Sequence, residues 1–149
     1  MTLQAVAGAL RSRTFGQLDM LPYTALLGLR FERDDDEVRL IMPYADSLIG
    51  APGRLHGGTI AGLLEMAGIA AALVSLPSEE TLPRLRPVTV TVDFMREGLP
   101  RDVTAAATIT RLGRRIINLR CLAWQYERAR PIAGATLNVL IDRPQRRAG

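Results

Sequence analysis

GGTIAGLLEMAGIAAALVSL, residues 57–76, is the stretch on which the reading of this chain turns. Ile60, Leu63, Leu64, Ala67 and Ala71 recur at helical spacing, yet the other faces are also apolar or small, so the helix must be surrounded by protein. Pro77 ends it. As a membrane span it is marginal: about 20 apolar residues are wanted, and this run holds Glu65 and two internal glycines amid strand-like segments. A long core helix is the better reading, and no membrane partner is expected.

What lies around the helix reads mainly as strand. Residues 88–95 alternate, with Val88, Val90, Val92 and Phe94 on one face and Thr89, Thr91 and Asp93 on the other, which predicts a strand with one buried face. Residues 103–110, 116–126 and 132–141 follow with short turns, an antiparallel meander. Upstream, residues 26–33 and 37–44 flank Asp34, Asp35 and Asp36, which predicts a hairpin with an acidic tip. These acids lack the Gly and further ligands of a calcium loop. The start, MTLQAVAGALRSR, spaces Leu3, Val6 and Leu10 for a short amphipathic helix and lacks the layout of a secretory signal, so it is expected in the mature protein. The pattern predicts an α+β class: one curved antiparallel sheet wrapped around one long helix, with a short N-terminal helix. Residues 1–149 form one domain in this reading, with 1–21 as N-terminal helix and lead-in and 143–149 as a flexible tail.

Composition agrees. The length, 149 residues, suits one domain that buries roughly 70% of its unfolded surface. Hydrophobic residues at 48% and charged residues at 23% exclude wholesale disorder, collagen and coiled coil. The net charge of +4 comes from 19 arginines against 15 acids, with no lysine. Arginine suits anionic ligands, but aromatics are 5% and interleave with no basic run, which argues against a nucleic-acid groove. A lone cysteine, Cys121, and a lone histidine, His56, exclude an internal disulfide and a structural zinc site, and point to an intracellular, cytoplasmic protein with no metal and no cofactor.

Two features carry chemistry. Glu65 puts a carboxylate in an apolar helix, which is costly unless it is paired or put to use. It shares a stripe with Ala61, Gly68 and Ala72, and two readings stay open: a cleft for a thin ligand, or tight packing with Glu65 paired to a buried arginine. The second feature is Gly53, His56, Gly57 and Gly58 at the helix entry. First-turn amides there have no internal acceptor and carry the positive end of the helix dipole, so an oxyanion can bind, although the glycines also serve a plain turn and His56 a loop. Gly57 and Glu65 lie eight residues apart, about 12 Å along a helix. One carbonyl cannot reach both, so an enzyme built on them needs the two groups from different chains, in an obligate symmetric dimer.

The string Gly53-Arg54-Leu55-His56-Gly57-Gly58, with Glu65 nine positions after the histidine, resembles the G-x-x-H-G-G-x6-[DE] signature of hotdog-fold acyl-CoA thioesterases of the PaaI (phenylacetate-pathway) type. Leu26-Leu27-Gly28-Leu29, the helix, Asp93-Phe94-Met95-Arg96 and the closing meander follow the family's order from Pro22 to Asp142. The resemblance implies a hotdog fold, a homodimer whose two sheets join, further pairing into homotetramers, and hydrolysis of an acyl- or aryl-CoA to free acid and CoA. It assigns Glu65 as the catalytic carboxylate, nucleophile or general base, and the Gly57 amide as the oxyanion donor. His56, Gly58, Thr59, Gly53 and Arg96 then shape or line the substrate site, and Arg54, Arg84 and Arg86 join Arg96 as candidates for the CoA phosphates. Two departures stand out: Gly50 replaces the family's Asn or Gln, and Ile69 its Ser or Thr, so two polar helpers are missing. The alternatives are a non-catalytic dimer that binds acyl-CoA or another apolar ligand, and a structural subunit with Glu65 neutralised by arginine.

Overall fold

A computed structural model describes residues 3–35, 37–77 and 81–143. Its elements run α1 (Leu3–Ser12), β1 (Phe15–Gln17), α2 (Pro22–Leu26), β2 (Arg30–Arg33), β3 (Val38–Met42), a 3-10 turn (Asp46–Leu48), α3 (Gly57–Ser75), β4 (Arg84–Phe94), β5 (Val103–Leu112), β6 (Ile116–Trp124) and β7 (Ala133–Asp142). The seven strands form one antiparallel sheet of order β1-β2-β3-β5-β6-β7-β4. This is the expected α+β hotdog arrangement, with α3 packed against β3, β5, β6 and β7.

The core follows from two periods meeting. Every second residue of the central strands faces α3, including Val103 and Ala105 on β5, Ile117, Leu119 and Cys121 on β6, and Leu137 and Val139 on β7, all buried. They receive Leu63, Leu64, Ala67 and Leu73 from the helix, and each large side chain so buried contributes about 1.5–3 kcal/mol. Irregular pairing between Pro87 and Thr89 and between Ile109 and Arg111 bends the long strands. The helix is long and apolar enough to cross a membrane by length alone, but eleven of its residues are buried in this core.

Both ends of α3 have a chemical cause. Leu76, preceding Pro77, is forced into extended backbone with ψ 148°. Two carbonyls at that end accept from one side chain: the Arg11 guanidinium donates to Leu73 O at 2.9 Å and Leu76 O at 2.6 Å. The Arg33 guanidinium in turn donates to Leu10 O at 2.7 Å, tying α1 to β2.

Two expectations need correction, and one strand has no counterpart among them. Residues 26–33 do not form one strand: Pro22 opens a five-residue helix, and Gly28, at φ +65°, closes it. The Gly28 N–H donates to Ala25 O and the Leu29 N–H to Thr24 O, a Schellman closure that only then releases the chain into β2. The three-residue β1 is too short to show an alternation in sequence. Finally, the face of residues 88–95 read as buried is open, with Val88 56%, Val90 39% and Phe94 57% exposed. The reason is position: β4 is hydrogen-bonded to β7 alone and forms the edge of the sheet. The acidic hairpin is present, β2 pairing with β3 and the Glu37 N–H donating to the Asp34 carboxylate at 3.0 Å. Asp36, Ser78, Glu79 and Glu80, and the tail expected at 143–149 apart from Arg143, lie outside the described residues.

Candidate active site

The loop before α3 is closed on itself. The Arg54 N–H donates to Ala51 O at 3.0 Å around Pro52 and Gly53, and Gly53 has φ +79°, the pattern of a type II turn. Gly53 is therefore set by backbone conformation, and it shapes the loop from the far side of His56. The Gly50 N–H donates to Arg54 O at 3.0 Å, the His56 N–H to Leu48 O at 2.8 Å and the Leu55 N–H to Gly98 O at 2.9 Å. A Cβ at Gly50 would stand 3.0 Å from the His56 Cα, a tight approach, so the Asn or Gln of the resemblance would have to push His56 aside by a few tenths of an ångström.

His56 is the N-cap of α3. Its Nδ1 accepts the Gly58 N–H at 2.8 Å, which puts the ring proton of the neutral imidazole on Nε2. The Thr59 N–H donates to His56 O at 3.0 Å and the Ile60 N–H to the same oxygen at 3.4 Å, while the Thr59 hydroxyl donates there too, at 2.7 Å. Of the first-turn donors only the Gly57 N–H has no acceptor among the described residues. A Cβ on Gly57 would lie 3.3 Å from the Phe94 ring, so glycine also lets the end of β4 approach the helix start.

A cleft of about 370 Å³ opens at this point, lined by Gly57 with Phe94, Met95, Arg96, Arg54 and Gly98 among others. Arg54 pairs with Glu97 at 3.0 Å and Arg96 donates to Pro131 O at 2.6 Å; both arginines are exposed. Arg84 and Arg86 are exposed on β4.

Glu65 lies on the same uninterrupted helix, about 12 Å further along by the rise per residue. A partly open line runs Gly58, Ala61, Glu65 down the first half of α3. The remainder of the small-residue stripe is packed: a Cβ at Gly68 would meet Leu137 at 2.6 Å and the Cys121 sulfur at 3.3 Å. Side chains fill the stripe there, and burial pushes the Cys121 thiol up to about 12, leaving it inert. Glu65 itself has no hydrogen bond or ion pair among the described residues, so none of their arginines neutralises it. Ile69, one turn on, is 6% exposed and belongs to the core.

One neighbour of Glu65 was not anticipated. Tyr23, on α2, places its hydroxyl where Gly62 lacks a side chain, three residues before Glu65. Burial, and then the negative charge of Glu65, raise the Tyr23 pKa above the usual phenol value. The sequence signals were Pro22 as a helix opener and an unexplained glycine inside α3.

The structure thus brings His56, Gly57, Gly58, Thr59 and Arg96 together at one end of the helix and holds Glu65 apart in the same chain. A model of the thioesterase superfamily matches residues 52–132, from the turn before His56 to the start of β7. The medium/long-chain acyl-CoA thioesterase YigI of Escherichia coli (strain K12) is 28% identical over 134 residues, covering 81% of this chain and 86% of YigI. Two solved structures share the fold. Thioesterase HI1161 of Haemophilus influenzae aligns with TM-score 0.75 and 20% identity over 100% of this chain and 96% of its own. A phenylacetic acid degradation-related protein of Ralstonia eutropha JMP134 aligns with TM-score 0.70 and 18% identity over 89% and 96%. The family match takes in the capped glycine amide, the carboxylate helix and strands β4, β5 and β6, and by it the chain belongs to the thioesterase superfamily.

Proposed function

We propose that this thioester hydrolase acts on acyl-CoA in a symmetric homodimer, each site combining the Gly57 N–H of one subunit with Glu65 of the other. The observation that carries the reading is the Gly57 N–H itself, left over when His56 and its carbonyl take the other first-turn donors. A donor fixed at the positive end of a long helix stabilises an oxyanion as it forms on the thioester carbonyl. Glu65 of the other subunit then attacks the carbonyl carbon or draws a proton from a water that does. Collapse of the adduct breaks the C–S bond and releases the CoA thiolate and, after water has added, the free acid.

The open edge of β4 supports the dimer. An eleven-residue strand with Val88, Val90 and Phe94 exposed is an unfinished sheet, and antiparallel pairing with a second β4 would complete it. That pairing also brings the helix start of one subunit toward the partner sheet, because Phe94 at the end of β4 touches Gly57. Acyl-CoA as substrate rests on the similarity to YigI. Arg54 and Arg96 at the cleft rim suit the CoA phosphates. A single buried cysteine fits a reducing, cytoplasmic setting.

The test is thiol release from a panel of acyl-CoAs and aryl-CoAs, run beside sedimentation velocity. Glu65→Gln should remove turnover by about 100-fold or more and leave the dimer intact. Tight acyl-CoA binding with no thiol released would instead establish a binding protein, and equal turnover in Glu65→Gln would end the assignment. Sedimentation also distinguishes a dimer from a pair of dimers.

A further inference from the structure

The missing polar groups at Gly50 and Ile69 leave Glu65 without the helpers expected on its own loop and helix. Gly50 is crowded against His56 and Ile69 faces the core, so neither place offers a polar side chain in this chain. A polar atom arrives beside that stretch of α3 from α2. Pro22 and the Gly28 closure fix that short helix, and the fully buried Thr24, whose hydroxyl donates to Leu21 O at 3.1 Å, pins it to the body of the fold. The Tyr23 ring is thereby laid across Gly62, and its hydroxyl has no hydrogen-bond partner among the described residues.

Residues three apart on a helix have Cβ atoms about 5–6 Å from one another. Helical side chains also lean toward the N-terminus, so the Glu65 carboxylate is directed at the turn that holds Gly62. The Tyr23 hydroxyl occupies the place of the absent Gly62 side chain, on the turn toward which that carboxylate leans.

We propose that Tyr23 is a positioning residue: its hydroxyl, unbonded in the single chain, donates to the Glu65 carboxylate once the site is assembled around substrate and holds it toward the thioester, from a helix that the family motif does not include. The proposal rests on the reading of Glu65 as the carboxylate that acts on the thioester. The raised phenol pKa agrees with it, since the negative Glu65 opposes a phenolate and keeps the hydroxyl a donor; Glu65 is the charged group that acts on it. A tyrosine that merely filled space over Gly62 would serve as well without its oxygen.

The experiment compares wild type, Tyr23→Phe, Glu65→Gln and the double variant in decanoyl-CoA hydrolysis, with phenol ionisation followed by ultraviolet titration of the same proteins. Tyr23→Phe should lower kcat about tenfold or more and leave KM within about twofold. Added to Glu65→Gln it should cost nothing further, because its effect passes through the carboxylate. In the titration, the phenol that disappears in Tyr23→Phe should ionise at lower pH in Glu65→Gln than in wild type. Full kcat in Tyr23→Phe beside a Glu65-dependent wild type would overturn the proposal, and so would a Tyr23 titration indifferent to Glu65. No turnover in wild type would strike the functional reading, and the titration, which needs no substrate, would still decide whether the two groups act on each other.

Discussion

The Gly58 N–H donates to His56 Nδ1 at 2.8 Å, and this one bond decides which amide at the start of α3 is left for another molecule. With Gly58 satisfied by the ring and Thr59 and Ile60 by the His56 carbonyl, the donor left without an acceptor among the described residues is that of Gly57, a residue that lines the cleft.

The role of His56 as a cap is separable from any acid–base role. His56→Ala removes the acceptor and should destabilise the protein by about 1 kcal/mol, lowering Tm by roughly 3 °C. His56→Asn keeps a good N-cap and should recover most of that loss. Thermal unfolding of the two variants side by side reads the difference; equal Tm values would show that the ring holds the loop in some other way.

Gly62 and Gly68 sit on the same helix with opposite tolerance for a methyl group. Alanine is favoured over glycine in a helix by about 1 kcal/mol at either place. At Gly62 the obstacle is the tip of Tyr23, which is 42% exposed and can swing into solvent. Gly62→Ala should therefore keep or slightly raise Tm while reproducing the kcat loss of Tyr23→Phe. At Gly68 the obstacle is Leu137, fully buried and unable to move aside. Gly68→Ala should lose about 1–3 kcal/mol to overpacking, outweighing the gain in helix propensity. Urea denaturation of both variants checks the contrast.

Val90 stands near the middle of the open β4 edge. Val90→Lys should block pairing of two such edges, because a lysine on an edge strand is the usual device against it. Sedimentation should report monomer, and hydrolysis should fall with it since each site would lose half its groups. A fully active monomer would contradict the division of the site between subunits.

Glu37 joins distant parts of the chain: Arg128 donates to both its carboxylate oxygens at 2.7 and 2.9 Å, and Arg39 to one at 3.2 Å. The Arg128 guanidinium also stacks 4.5 Å over the Trp124 ring. The Arg128 hydrogen bond, and less strongly Arg39, hold the Glu37 carboxyl below its ordinary value of 4.5 in spite of burial. Its lowered folded pKa means that the stabilisation is present above the ordinary value and is lost as pH falls through the folded one. Arg128→Ala should cost about 1 kcal/mol at pH 7, with a difference from wild type that shrinks below pH 4.5. Unfolding measured across pH 3–7 tests the sign.

The long helix, the meander and the motif before the helix were legible because each is a strong local pattern: thirteen apolar side chains in a run of twenty residues, clean alternation, and glycines contiguous with a histidine. What escaped was set by partners remote in sequence. A five-residue α2 shows too few turns for a period, although Pro22 and Gly28 bracket it. The alternation in residues 88–95 reports a strand but says nothing about what covers it, and Pro87, which cannot donate to a ladder, was the mark of an edge. Tyr23 could not be joined to Glu65 from spacing, since only the folded chain lays α2 across Gly62.

The clasp that Arg11 makes on Leu73 O and Leu76 O bears on registration. A shift of α3 by one residue along its axis would carry the Gly57 amide and the Glu65 carboxylate together by about 1.5 Å. That is half the reach of a hydrogen bond. Anchored at its carbonyl end by an arginine from α1, the helix becomes a fixed ruler against which a second subunit can align, and tolerance at the amide end is set at the opposite pole of the molecule.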